Sequence, residues 1–276
     1  MRATPQEQFQ QLLQTLRAAL RDGEQFTLGF SAEQSQFIRF NHAKVRQAGV
    51  VSQASAQLRL VDNGRQAEQQ FTLCGDAELD QQRLHDALKQ LRQTLPLLAV
   101  DPYLSLDDSA WQSHSLQQQA LPDPAEVLAL VEREAAELDL VGIYAAGPIC
   151  RGFASSFGAF GWHEAVSFNF DWSLFHANGE AVKANYAGQS WDAAAFVERL
   201  RLAREQLAYL GLPGVLLKPG SYRAYLTPAA MDEIAGMLCW GGFSAQALAT
   251  GNSALQRLYS GDAQLSPQVS ISEQVS

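Results

Sequence analysis

An α+β fold is predicted for this chain: two similar helix–antiparallel strands–helix units forming mostly antiparallel sheets with helices packed on them, followed by the start of a C-terminal β-rich domain. Three observations predict it. Asn63-Gly64 and Asn178-Gly179 each sit between runs of alternating apolar residues, the pattern of a tight β-hairpin. Each hairpin block is flanked by segments of helical period, and the opening helices begin with a capping residue followed by proline, Thr4-Pro5 and Asp123-Pro124. Regular strand–helix–strand alternation is absent, which argues against a parallel sheet.

In the first unit, Thr4 caps a helix and Glu7 closes a capping box. Phe9, Leu12, Leu13, Leu16 and Leu20 follow at helical spacing, with Gly23 as the stop. Phe26, Leu28 and Phe30 alternate, as do Ala54, Ala56, Leu58 and Leu60, and two further strands are read over Ser35–Phe40 and Val45–Val51. After the hairpin, Ala67, Gln69, Phe71 and Leu73 return. A helix on Leu84, Ala87, Leu88, Leu91 and Leu95 then ends at Pro96.

Residues 97–121, with Asp101-Pro102, Asp107-Asp108 and a glutamine run at 117–119, have weak periodicity and read as a surface linker. The second unit repeats the order. Val127, Leu130, Val131 and Leu138 form an apolar stripe, and strands are read near Val141–Ala145 and Gly152–Phe160. Val166, Phe168, Phe170, Trp172 and Leu174 make the clearest strand; Val182, Ala184 and Tyr186 return, and a helix on Phe196, Leu200, Ala203 and Leu207 ends at Gly211. Pro5 and Pro124, Gly64 and Gly179, Gly75 and Gly188, and Leu84 and Phe196 keep nearly constant separation, which reads as duplication of one unit.

The domain division expected is therefore 1–211, built from units of about 1–96 and 122–211, and 212–276, the beginning of an incomplete C-terminal domain. Within 212–276 a hairpin is expected over Gly214–Leu226, around Pro219-Gly220. A helix opens at Thr227-Pro228 with Met231, Ile234 and Leu238, and a last strand runs through Val269, Ile271 and Val275.

Composition narrows the function classes. Of 276 residues, 47% are hydrophobic and 18% charged, which argues against disorder and a coiled coil. The net charge is −9 and no basic block occurs, so nucleic acid is not an expected partner, and with no run of about 18 apolar residues no membrane is expected either. Cys74, Cys150 and Cys239 are odd in number and widely spaced, which is no disulfide framework. There is neither a secretory leader pattern nor a long apolar run, so a cytoplasmic protein is expected.

No complete catalytic constellation is visible. His163-Glu164 lies on a strand, where the two side chains point to opposite faces, and the position one helical turn on is Ser167. His163 and His176 read as surface histidines. Ser155-Ser156 lacks the strand–turn–helix context of a nucleophile, and Asp101, Asp107 and Asp108 read as solvated carboxylates. Cys239, beside Trp240, reads as a buried structural thiol.

Three stretches resemble the TldD/PmbA family, once called modulators of DNA gyrase. They are Phe37-Ile38-Arg39-Phe40-Asn41-His42-Ala43-Lys44-Val45-Arg46-Gln47, Leu217 through Pro228, and Gly251-Asn252-Ser253-Ala254-Leu255 with Gly261-Asp262 and Ser266-Pro267. The resemblance implies a cytoplasmic, dimeric protein concerned with peptide processing. One subunit type resembles a zinc peptidase with a His-Glu-x-x-x-His helix; the other lacks those ligands and has no metal. It also implies a peptide held as an extended strand.

Aligned this way, Ala235 stands at the first His, Gly236 at the Glu and Trp240 at the second His. None of these can ligate zinc or accept a proton. No histidine occurs after His176, and a family cysteine ligand would lie beyond Ser276. The resemblance thus implies a non-catalytic or truncated relative of the partner type, without cofactor, zinc being expected only in a catalytic partner. Such a chain forms a homodimer or a heterodimer with a related metallopeptidase subunit and binds peptide, with Gly241 and Gly242 as contacts. The alternative is a metallopeptidase half-site completed by another chain or by missing C-terminal sequence. A third reading, a free-standing binding protein, takes the motif matches as accidental.

Overall fold

The computed structural model describes residues 3–117 and 119–272. The chain divides into two compact units, Met1–Gly214 and Val215–Ser276.

The first unit opens with α1 (Pro5–Ala19), where Thr4 and Glu7 form the expected reciprocal capping box. Three strands follow, β1 (Gln25–Asn41), β2 (Lys44–Asp62) and β3 (Arg65–Leu73), and then α2 (Ala77–Thr94). After β4 (Gln112–Gln117) the same order recurs: α3 (Pro124–Glu134), β5 (Asp139–Ser155), β6 (Phe160–Phe175), β7 (Ala181–Gly188) and α4 (Ala193–Leu210). All seven strands join one sheet in the order β3-β2-β1-β5-β6-β4, with β7 beside β4 on the outer side of β6. Every pairing is antiparallel except β4 with β6.

One sheet face is covered. Phe26, Leu28 and Phe30 of β1 meet Phe9, Leu12 and Leu16 of α1 and Leu84, Leu88 and Leu91 of α2. Farther along the same face, Phe168, Phe170 and Trp172 of β6 meet Val127 and Val131 of α3 and Phe196 and Leu200 of α4. The period of two puts these residues on one side and leaves their neighbours on the other. Gly152 belongs to the covered side because an added Cβ would come within 2.9 Å of the Phe9 ring.

The paired strands are longer than their periodicity suggests. Ser35–Phe40 continues β1 without a break, and Val45–Val51 continues into β2. The turn between them is His42-Ala43, both in the left-handed region at φ 50° and 57°. Neither residue type announces such a turn, since a left-handed non-glycine residue costs on the order of 1 kcal/mol. Tertiary contacts hold it: Asp139 Oδ1 lies 2.8 Å from His42 Nδ1, and the Ala43 N–H donates to the Leu140 carbonyl at 3.0 Å.

Two expectations need correction. The linker 97–121 contributes strand β4, which has one apolar residue, Leu116, and so no period to read; its main-chain bonds to β6 place it. The second unit is not β-rich among its described residues. It contains α5 (Pro228–Cys239), capped by Thr227, then α6 (Ala245–Ala249) and α7 (Gln256–Tyr259), and no strand. Gly214–Leu226 forms no hairpin, and Val269 and Ile271 lie outside regular structure. Extended backbone becomes a strand only where a neighbour takes its hydrogen bonds, and residues 215–272 supply none. Val275 lies outside the described residues. No described helix is long and apolar enough to cross a membrane.

Candidate functional site

The sheet has an open edge and an open face. β3 pairs with β2 only from Ala54 onward, so Lys44–Gln53 is hydrogen-bonded to β1 on one side and, among the described residues, unpaired on the other. The stretch is mostly exposed, including Val45 and Val50, the latter at 63%. Such an edge offers a row of free main-chain donors and acceptors to an added strand.

On the face away from the helices, β1 presents Thr27, Gly29, Ser31, Glu33, Phe37 and Arg39. Phe37 lies against Gly49, where an added Cβ would meet its ring at 3.0 Å. At one end Trp111 stacks on Phe153, with centroids 5.9 Å apart and planes 6° apart, and covers Gly161. A cleft of about 440 Å³ beneath this stack is lined by Gly29, Arg59, Glu68 and Asp107 as well. Toward the α3 and α4 end, a second groove of about 540 Å³ runs from β2 across to β7.

The ionisable groups on this face are mostly held in small polar networks. Glu33 accepts from Ser35 Oγ at 2.7 Å and from Gln53 Nε2 at 2.9 Å. Arg151 donates to Ser31 Oγ at 2.6 Å. His163 is exposed, opposite Arg151 on β5 and Ser115 on β4, whereas Glu164 pairs with Cys150 on the other face, as alternation requires. His176 sits in the β6–β7 turn, far along the strand from His163, and its Nδ1 accepts from the Asn178 N–H at 3.3 Å. The two histidines are not brought together.

The remaining suspects are structural. Ser155 is buried and its hydroxyl accepts from the N–H groups of Phe157 and Ala159; the Ser156 hydroxyl accepts from the Phe26 N–H. Asp101 caps its own turn at Tyr103, and Asp107 does the same at Ser109, whose bonds hold its carboxyl below the ordinary range. Cys150 is buried, and burial, then Glu164, push its thiol up to about 11, far from a reactive thiolate. Tyr144 is likewise pushed up to about 12 by burial.

In the second unit, Ala235 and Gly236 lie on the exposed surface of α5, and Trp240 follows its end at 91% exposure. No residue of α5 is buried, so Cys239 is exposed rather than buried as expected; the apolar stripe of Met231, Ile234 and Leu238 finds no cover within this unit. Gly241 has φ 77°, the left-handed residue that closes the helix. Gly242 is buried: an added Cβ would collide with the Leu238 carbonyl, and the Gly242 carbonyl accepts from Ser253 Oγ at 2.6 Å. Both glycines thus have a local structural reason.

A methyl group, a hydrogen and an indole offer zinc no donor, and Asp232 and Glu233 stand beside them without a third partner. No three His, Cys, Asp or Glu side chains converge among the described residues. The residues at 235, 236 and 240 do not fit a metal.

The open β2 edge was not singled out from sequence. Its signal was present: a run from Lys44 to Gln53 with two cations, three valines and no acidic residue, directly before the Ala54–Leu60 alternation.

No protein-family model and no curated protein matches the chain. Solved structures do. TldE from Thermococcus kodakarensis superposes with TM-score 0.57 at 14% identity, over 87% of this chain and 57% of that one. The chain has the fold of the matched part of TldE. A protein from Thermotoga maritima, solved as a candidate modulator of a DNA gyrase, superposes with TM-score 0.55 at 11% identity, over 92% of this chain and 59% of that one. These likenesses bear out the resemblance to the TldD/PmbA proteins at the level of fold. The chain spans less than three fifths of the length of either.

Proposed function

We propose that this chain is a cytoplasmic TldD/PmbA-type protein that binds peptides without cleaving them. It acts as scaffold and partner to a zinc-bearing relative or to a second copy of itself. The observation that carries the reading is the unpaired Lys44–Gln53 edge, in a fold shared with TldE. An extended peptide gains main-chain hydrogen bonds there, while side-chain grooves on the open face set preference. The chemistry at Ala235, Gly236 and Trp240 agrees with a subunit that leaves hydrolysis to its partner.

The test uses the full chain, alone and mixed with a subunit carrying an intact His-Glu-x-x-x-His helix. Metal content, complex formation by sedimentation and cleavage of an extended peptide are measured together. The expected result is no stoichiometric zinc on this chain, an assembled dimer, and cleavage only in the presence of the partner. Zinc held stoichiometrically by the chain alone, with cleavage that a chelator abolishes, would overturn the reading.

A further inference from the structure

One end of the open face, around the groove from β2 to β7, is locally opposite in charge to the molecule. The chain has a net charge of −9, yet between Glu33 and Asp62 it has no acidic residue and carries Arg39, Lys44, Arg46 and Arg59. The groove of about 540 Å³ collects Arg39, Arg46 and Lys183. All three are exposed, and none makes an ion pair among the described residues.

The single carboxylate in the groove, Asp171, is occupied by neutral amides. Asn169 Nδ2 donates to it at 2.6 Å and Asn185 Nδ2 at 2.7 Å. The floor is apolar, formed by Val141 and Ile143 of β5, with Arg39 directly opposite Ile143 on β1 and Lys183 opposite Ser173 on the far side. From β2 to β7 the groove crosses four strand spacings, about 19 Å at ~4.8 Å each. An extended segment of about six residues spans that distance. Its β2 wall, Arg46 and Gln47, belongs to the unpaired edge, so the groove, which crosses the strands, opens at the place where a peptide would add to β2.

We propose that the peptides this surface selects are acidic. Their carboxylates pair with Arg39, Arg46 and Lys183, while an intervening apolar side chain rests on Val141 and Ile143. This rests on the peptide-binding reading above and names its substrate class. The two arginines suit carboxylates in particular, because the guanidinium fork meets both oxygens. Local charge, not the overall −9, decides the preference, since screening limits distant charges to about 8 Å at physiological salt. A nucleic acid fits less well: a phosphate track calls for about six to ten contacts, and this groove offers three cations around an apolar floor. Charges on an edge strand also guard against self-pairing, but that role does not explain Arg39, which lies on the interior strand β1.

The test is fluorescence anisotropy of the full chain with matched labelled peptides whose polar positions are all Glu, all Gln or all Lys, and with a single-stranded oligonucleotide. The Glu peptide is expected to bind about tenfold tighter than the Lys peptide, each exposed pair contributing a factor of about two to three. That preference disappears in R39Q/R46Q/K183Q and fades at high salt. If all peptides bind alike, or the triple variant keeps the preference with or without new self-association, the inference fails while peptide binding stands. If the oligonucleotide binds tighter than the Glu peptide, the inference fails in favour of nucleic acid. If no peptide binds at all, the underlying reading fails with it.

Discussion

Replacing Arg92 by Met tests how the two helices of the first repeat are tied to the sheet. Arg92 on α2 reaches the turn between α1 and β1. Its Nε and Nη2 donate to the two Glu24 oxygens at 2.7 and 2.6 Å, and Nη2 also donates to the Ala19 carbonyl at 2.7 Å. The Glu24 side chain is 6% exposed and that of Arg92 19%. Met preserves much of the apolar stem but leaves a nearly buried carboxylate without its cation. Removing one partner of a buried pair costs about 3–5 kcal/mol. Partial water access, and the Arg21 N–H that still donates to Glu24 at 2.9 Å, set the expectation at the lower end.

For a unit of this size each kcal/mol lowers Tm by about 2–4 °C, so about 3 kcal/mol predicts a fall of about 6–12 °C at neutral pH, read by circular dichroism. The hydrogen bonds from Arg92 hold the Glu24 carboxyl below its ordinary 4.5. A depressed carboxyl pKa contributes stability that is present above the ordinary value and is lost as pH falls through the folded value. The gap between wild type and R92M must therefore narrow in acid, below pH ~4.5. The double variant E24Q/R92M is expected to be more stable than R92M. A Tm change below about 2 °C, or a gap that stays constant into acid, would refute the reasoning.

Two further outcomes follow from local geometry. A thiol reagent at mildly alkaline pH should modify Cys74 and Cys239 quickly and Cys150 only on unfolding, since Cys150 is buried with its thiol near 11; three fast thiols in the native chain would contradict this. In the second unit, Gly242→Ala should loosen the end of α5 because the new methyl collides with the Leu238 carbonyl. Gly236→Ala, with open space around it, should tighten the helix by up to about 1 kcal/mol. Limited proteolysis between residues 228 and 260 reads both, and equal cleavage of the two variants would count against the described packing.

Much of the first unit was legible because local and tertiary preferences agree. Thr4-Pro5 and Asp123-Pro124 cap helices, Asn63-Gly64 turns a hairpin, and Phe168-Phe170-Trp172 faces the helices, each for a reason visible in a few residues. The His42-Ala43 turn was not legible, because contacts with Asp139 and Leu140, about a hundred residues on, hold it. β4 was hidden for the same reason: its place comes from backbone pairing with β6 rather than from its own side chains. Residues 212–276 misled in the other direction. Val215, Leu217, Tyr225 and Leu226 look like strand residues, yet they stand exposed and unpaired. At the aligned positions of α5, side-chain chemistry alone excludes metal ligation by Ala235, Gly236 and Trp240. The open β2 edge needed the register of β3 to be seen at all.

Hydrogen exchange along β2, with and without a saturating extended peptide, is the most direct test of the central claim. Amides within Lys44–Gln53 that point away from β1 are expected to exchange fast in the free chain and to become protected when peptide is added, while amides of α5 are unchanged. Peptide that binds without slowing exchange anywhere in Lys44–Gln53 would contradict the account.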